Sequence, residues 1–386
     1  MAQLISRTSP ILFGVGASQE TGARVKGLGC QKVLFLTDQG IRKAGIAERM
    51  VQDLEAAGLE VTLFDRVPPD PPDHLIEEAA ELARRIGVDG LVAVGGGSVM
   101  DTAKGVNVLL TNPPPISRYF GVNVAPNPGK ILVLIPTTSG TGSEVTAISV
   151  VTDTQNNRKI GVIGPYCQAS LAIVDPELTA GMPPSLTAAT GMDALAHAVE
   201  ALTSALANPF SDVLAERAIS LICRYLPAAV SNGADMEART NMSLAATLAG
   251  IAFNDALPHL GHAIAHVVGA RFHVPHGVGC AIALPEVVEF AAEAVPDKVR
   301  VVGRAMGVDM PADLPAKAVG EKVAAAIASL RRQVGIPTFG QLQISEAALL
   351  EIVPGIMKDD TANFVPRPLT PEIAGEVLRK AYRNYS

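Results

Sequence analysis

Residues 261–277 read GHAIAHVVGARFHVPHG and hold His262, His266, His273 and His276, four of the chain's seven histidines, with His259 just before them. A second stretch, TGMDALAHAVEA, sets a carboxylate and an imidazole four residues apart, Asp193 and His197. Residues four apart share one face of a helix, and His262 and His266 repeat that spacing. Each stretch therefore reads as a helix that presents two metal-competent side chains together, and the PHG turn would bring His276 back towards them. One carboxylate with several imidazoles suits a first-row transition metal such as iron or zinc, rather than magnesium or calcium. A single histidine in such alanine-rich surroundings would more often be a buried, hydrogen-bonded core residue. Five of them in residues 259–276, beside an Asp/His helix, favour a metal. Spacing does not decide which of the five complete the sphere.

Two further stretches have the chemistry of a phosphate or nucleotide site. VAVGGGSVMDTAK runs from a strand through Gly95, Gly96 and Gly97 into a helix opened by Ser98. Glycines admit a ligand close to the backbone, and a helix start offers free N–H groups and partial positive charge to a phosphate. The purely structural alternative is a strand–helix turn with Ser98 as N-cap and Asp101 completing a capping box. IPTTSGTGSEVT sets Thr137, Thr138, Ser139, Thr141 and Ser143 around Gly140 and Gly142, groups able to bond phosphate, ribose or a nicotinamide ring; a plain polar turn is the alternative. Neither stretch is the GxGxxG fingerprint. Asp38 closes the strand-like KVLFLTD, where a carboxylate can accept from a ribose 2′-hydroxyl and repel a 2′-phosphate, or simply shape the DQG turn.

The elements that must hold these groups fall into two kinds. KVLFLTD, EVTLFD, DGLVAVGGG and KILVLIPTT are strand-like and alternate with IAERMVQDLEAAG, PPDHLIEEAAELARRIG and SVMDTAKGVNVLL, which read as helices. Such alternation means βαβ units and a mostly parallel sheet, whose strand ends are where ligands bind. Short strands follow through SVVTDTQNNRKIGVIG and ASLAIVDP. From about Pro183 the pattern turns helical and alanine-rich, so we place an α/β domain at 1–180 and an all-helical domain at 181–386.

Composition narrows the function. A chain of 386 residues with 48% hydrophobic and 18% charged residues is a globular protein, long enough for two domains. A net charge of −7 without basic runs, no tryptophan and 4% aromatic residues argue against a nucleic-acid partner. No apolar run has the length of a membrane span, and MAQLISRTSP lacks the features of a secretory leader. Cys30, Cys167, Cys223 and Cys280 are scattered without a CxxC, which suggests neither a disulfide framework nor a zinc ribbon and points to the reducing cytoplasm.

Taken in order, GGGSVMDTAKG, PTTSGTGSEVT, GMDALAHAVEA and GHAIAHVVGARFHVPHG closely resemble the iron-containing (group III) alcohol dehydrogenase family, over nearly the whole chain. The resemblance implies a dehydroquinate synthase-like fold: an α/β dinucleotide-binding domain followed by an all-α domain that binds the metal. It implies metal ligands at Asp193, His197, His262 and His276, with His266 near the substrate as a proton carrier. It implies cofactor contacts from Gly96, Gly97 and Ser98 to the pyrophosphate and from Thr137, Thr138 and Thr141 to the rest of the dinucleotide, with Gly95 a further cofactor-binding candidate of the same loop. Asp38 matches a position whose acid is associated with NAD over NADP. His273 is read as a candidate for the substrate pocket and His259 as structural. The expected activity is reversible hydride transfer between a small primary alcohol or diol and NAD, with Fe(II) the expected metal and zinc its substitute. The protein is expected to be a homodimer or larger. Maleylacetate reductase shares the fold without this ligand set, so the intact set argues against that activity. The alternatives are a dehydrogenase of a polyol or hydroxy acid, for which Arg271 and Lys358 are candidate cations, and a metal-dependent hydrolase.

Overall fold

The computed structural model describes Ile5, residues 8–156 and residues 158–384; most of the leading MAQLISR lies outside them. The described chain divides into two compact units, one of residues 8–138 and 142–181, the other of Ser139–Thr141 and residues 182–384.

The first unit holds nine strands among the described residues: β1 (Ile11–Phe13), β2 (Lys32–Leu36), β3 (Glu60–Phe64), β4 (Gly90–Gly95), β5 (Gly121–Val122), β6 (Ile131–Pro136), β7 (Ile148–Asp153), β8 (Arg158–Ile163) and β9 (Leu171–Val174). Its helices are α1 (Thr21–Gly27), α2 (Gln39–Lys43), α3 (Ile46–Ala56), α4 (Asp73–Ile86) and α5 (Gly97–Thr111). Six strands form a sheet in the order β1-β9-β6-β4-β2-β3, and every pair in it is parallel. The remaining three form a small sheet ordered β5-β8-β7, in which β7 and β8 run antiparallel.

Alternation along the strands explains how the large sheet is covered. Leu34, Leu36, Leu91, Ala93, Leu132 and Leu134 pack on one face with apolar residues of α4 and α5. Their neighbours Val33, Phe35, Val92, Val94, Val133 and Ile135 pack on the other with α1 and α3. Side chains that alternate in direction thus feed two cores, as a parallel sheet buried on both faces requires. The chain leaves β2 for β3 on one side and returns to place β4 on the other, so the strand order reverses between β2 and β4. Ligands of open α/β sheets bind beyond the strand ends at such a point. Asp38 and the Gly95–Ser98 turn are the residues that flank it.

The second unit is built from helices: α6 (Pro184–Thr203), α7 (Pro209–Ser231), α8 (Met236–Ala256), α9 (Leu260–Phe272), α10 (His276–Ala292), α11 (Pro296–Ala305), α12 (Ala316–Gln333), α13 (Glu346–Leu350), α14 (Val353–Ile356) and α15 (Pro371–Arg383). Alanine is the commonest buried residue of α6 and α8, which lets their backbones come close to their neighbours. No helix among the described residues is long and apolar enough to cross a membrane.

Candidate metal centre and dinucleotide loops

Helix α6 carries Asp193, His197 and Glu200 at intervals of four and three, so all three project from one face. Helix α9 carries His262 and His266 in the same way, and α10 begins at His276 after the cap Pro275. Two glycines allow these helices their separation. A β-carbon on Gly277 would stand 2.2 Å from the Ala189 carbonyl oxygen of α6, and one on Gly261 3.1 Å from the Glu200 carboxylate. The second absence lets the Gly261 N–H donate to Glu200 at 2.6 Å.

The side chains converge on Asp193. Its Oδ1 lies 3.6 Å from His276 Nε2 and 3.9 Å from His262 Nε2. Donor atoms of Asp193, His262, His276 and Cys280 all lie within 4.8 Å of one another, and three of the four residues are buried. His262 Nε2 is buried and has no hydrogen-bond partner. An imidazole nitrogen stripped of water and aimed at a carboxylate oxygen beyond hydrogen-bonding distance suits a cation between them. The donor set fits a divalent transition metal on that observation.

His197 stands at the margin of this group. Its ring stacks on Phe253 with centroids 4.2 Å apart and lies 4.5 Å from the His262 ring. Its Nδ1 is 3.9 Å from Asp193 Oδ2, and the ring hydrogen-bonds the Gly140 backbone. Burial, together with the nearby His262, holds His197 well below the usual imidazole range.

A second layer of carboxylates orients the first. Glu200, fully buried, bonds His262 Nδ1 through Oε2, which directs the opposite nitrogen towards Asp193. Burial alone would depress the His262 imidazole, but Glu200 and Asp193 raise it on balance. Glu200 itself sits below the usual carboxylate range: burial opposes this, and His262 and His259 outweigh it. His259 is buried between Glu200, 3.3 Å from its Nδ1, and the Thr203 hydroxyl, 2.9 Å from Nε2. His266 Nδ1 pairs with Asp359 Oδ2 at 2.9 Å, and its ring stacks against His276 at a centroid distance of 5.3 Å. Asp359 is held below its ordinary value: burial raises it, but His266 and Thr361 lower it further.

Other sequence candidates lie elsewhere. His273 is exposed and ends α9 in the left-handed conformation, with φ 57°, so it stands at the turn outside the donor cluster. Arg271 and Lys358 are exposed. Glu200, Asp359 and Cys280 were missed from the sequence. Glu200 and Cys280 carried a signal, since Glu200 extends the Asp193/His197 face and Cys280 lies four residues after His276. Asp359 carried none, being 93 residues from its partner.

In the α/β unit, the two glycine-rich loops leave adjacent strands, β4 and β6, and meet: Thr137 N–H donates to the Gly95 carbonyl at 3.0 Å. Gly96, not Ser98, is the N-cap of α5, and Ser98 instead accepts from the Asp70 N–H at 3.3 Å. Asp101 forms no capping box; it accepts from the Ser143 hydroxyl at 2.6 Å and the Val150 N–H at 3.1 Å. The first turn of α5 therefore has no side-chain cap, and its N–H groups suit an anion. Lys104 is wholly buried and donates to Ser143, Thr146 and the Ile148 carbonyl at 2.7–3.0 Å, which welds α5 to the second loop. Asp38 caps α2, accepting from Gly40 and Ile41 N–H through Oδ1 alone. Thr138 borders Gly96, while Ser139–Thr141, the tip of the second loop, group with the helical unit. There Gly140 lies against Thr190 of α6.

Comparison with known proteins gives these arrangements a context. Residues 8–176 match the model of iron-containing alcohol dehydrogenases, and residues 187–382 match the C-terminal model of the same family. The choline dehydrogenase of Bacillus subtilis (strain 168) is 37% identical, over 96% of this chain and 93% of its own length. The NAD-dependent methanol dehydrogenase of Bacillus methanolicus is 35% identical, over 96% of this chain and 97% of its own. Among solved structures, a 1,3-propanediol oxidoreductase superposes with a TM-score of 0.94 at 37% identity, covering 98% of this chain and 100% of that one.

Proposed function

The chain belongs to the iron-containing alcohol dehydrogenase family, and on that premise we propose that it transfers hydride reversibly between a small primary alcohol or diol and NAD. The observation that carries the metal part is the approach of His262 Nε2, buried and without a hydrogen bond, to Asp193 Oδ1 beside His276 Nε2. Asp193, His262 and His276 would hold the ion, with His197 as the fourth donor that the family resemblance implies. A divalent iron or zinc there supplies Lewis acidity to the substrate oxygen.

The chain's own residues do the rest. Glu200 fixes the tautomer and direction of His262. Asp359, kept ionised, accepts from His266 Nδ1 and leaves Nε2 to take the proton of the alcohol and pass it to water. The uncapped first turn of α5, with Gly95, Gly96, Gly97 and Ser98, would receive the dinucleotide pyrophosphate. Thr137, Thr138 and Thr141 would bond the remainder. Asp38 Oδ1 is occupied by capping, and its second oxygen would meet the ribose hydroxyls, which favours NAD over NADP. The alcohols in the relatives' names, choline, methanol and 1,3-propanediol, all carry a terminal hydroxyl, which supports the substrate class. The reading includes cytoplasmic residence and assembly as a homodimer or larger.

The test is metal content per chain and NADH formation with a panel of primary alcohols, for wild type beside Asp193→Ala. About one iron or zinc with NADH formation in the wild type, and neither in the variant, supports the proposal. Undiminished turnover in the variant, or nucleotide binding without turnover on any alcohol or aldehyde, refutes it.

A further inference from the structure

His259 stands just before the ligand helix α9 and is wholly buried. It is the N-cap of that helix, with φ −135° and ψ −120°, yet its side chain caps nothing. The ring instead reaches two residues of α6: Nε2 lies 2.9 Å from the Thr203 hydroxyl, and Nδ1 lies 3.3 Å from Glu200 Oε1. Nδ1 is buried and makes no hydrogen bond. A histidine that only packs would pair such a nitrogen or leave it to water. Against an ionised carboxylate, a bare Nδ1 would set its lone pair against those of the oxygen, whereas Nδ1–H turns a positive hydrogen towards it. Burial outweighs Glu200 and holds His259 below its ordinary range, so the ring is neutral and carries a single proton. Thr203 can place that proton. Its hydroxyl is within 2.8 Å of the Val199 carbonyl, but when it donates to Nε2 instead, the ring hydrogen must sit on Nδ1. Glu200 Oε1 then has three N–H groups around it, since the backbone N–H of Gly261 donates at 2.6 Å and that of His259 at 3.3 Å, while Oε2 is left to His262.

We propose that His259 is a positioning residue of the metal centre, set by Thr203 as the Nδ1–H tautomer so that it fixes Glu200, and through Glu200 the aim and donor strength of His262. This rests on the metal centre proposed above and leaves its ligands unchanged. The contacts run Thr203–His259–Glu200–His262, and all four residues lie on α6 or in the first turn of α9 and its cap. Removing the Nδ1 hydrogen takes no donor from the ion. It loosens the carboxylate that orients His262 and makes that imidazole the stronger base, so affinity falls through the outer partner.

The experiment measures zinc affinity of the metal-free full-length protein by competition with a chelator, with Tm beside it, for wild type, His259→Asn, His259→Gln and His259→Leu. Asparagine places an N–H where Nδ1 stands, glutamine places one where Nε2 stands, and leucine supplies neither. Affinity should fall ~10-fold in His259→Leu and His259→Gln and stay within ~3-fold of wild type in His259→Asn. In a Glu200→Gln background, His259→Gln should cost no more than ~3-fold further, because its effect runs through that carboxylate. Should His259→Leu fail to fold, the order of the asparagine and glutamine variants decides alone. Affinities that merely follow Tm, or asparagine no better than glutamine, give His259 a packing role and overturn the proposal. A full, additive loss in the Glu200→Gln background overturns it too, and each of these results leaves the metal centre standing. No zinc binding by the wild type overturns the metal centre and the proposal together.

Discussion

Replacing Lys104 by methionine tests whether the two glycine-rich loops are held by one buried network. Methionine keeps most of the side-chain volume but donates nothing. Lys104 is wholly buried, and its ammonium donates to Ser143 Oγ at 2.8 Å, Thr146 Oγ1 at 3.0 Å and the Ile148 carbonyl at 2.7 Å. Its nearest opposite charge is Asp101, 3.6 Å away. Burial pulls the lysine below its ordinary range and pushes Asp101 above its own, so each charge depends on the other. Losing the ammonium leaves Ser143 satisfied, because its hydroxyl donates to Asp101. It strands the Ile148 carbonyl, at about 1–3 kcal/mol. It also leaves Asp101, its side chain only 14% exposed, without its countercharge, and breaking such a pair costs up to about 3–5 kcal/mol in all. Adding Asp101→Asn removes the stranded charge, so the double variant should recover about 1–2 kcal/mol. With no tryptophan in the chain, urea unfolding followed by far-ultraviolet circular dichroism is the assay. A Lys104→Met loss below about 1 kcal/mol would refute the reasoning, as would a double variant no more stable than the single one.

Three further outcomes follow from particular contacts. Glu200→Gln keeps the shape but weakens the orientation of His262, so zinc affinity should fall ~10–100-fold by competition with a chelator; an unchanged affinity removes Glu200 from the metal's support. Asp38→Ala should cost about 1 kcal/mol through loss of the α2 cap and raise the NADP-to-NAD ratio of kcat/KM; a lower Tm with an unaltered ratio would make Asp38 a cap only. Glu286, bonded to Asn384, has its carboxyl raised to about 7 by burial and by the neighbouring Glu289. The folded state then binds the proton more tightly than the unfolded chain. Stability therefore declines as pH rises from the ordinary carboxylate range through about 7 and is level beyond it. Glu286→Gln should be more stable than wild type at pH 8, on the order of 1–2 kcal/mol, with the gap closing near pH 5; a gap independent of pH contradicts this.

Local pattern carried the architecture well because few rules compete in this chain. The strands of the large sheet are short apolar runs between glycines, acids and prolines, and the boundary residues of α4 behave as written, with Gly87 closing it at φ 72°. Where two local rules competed, the serine that opens SVMD offered an N-cap as the structural alternative, yet the strand runs to Gly95 and the helix is capped by Gly96, so Ser98 falls inside it. The site was legible as far as helical spacing reaches. Asp193 with His197, and His262 with His266, are both local pairs. The pairing of His266 with Asp359 depends on a segment 93 residues away, and no local signal encodes it.

The alanine and glycine content that makes these helices easy to recognise also sets the dimensions of the site. Each imidazole reaches only a few ångströms from its backbone, so donors 3.6–3.9 Å apart on α6, α9 and α10 require unusually close helices. Gly277 supplies that closeness directly, since a β-carbon there would collide with the Ala189 carbonyl oxygen. Gly279 does the same against Ala265 of α9, where a β-carbon would stand 3.1 Å from the Ala265 α-carbon. Larger residues at these positions would preserve helix propensity, and even improve it, while moving His276 away from Asp193. The small residues beside the histidines are therefore part of the metal chemistry rather than background to it. A sequence with the same four donors but bulkier neighbours would keep the pattern and lose the centre.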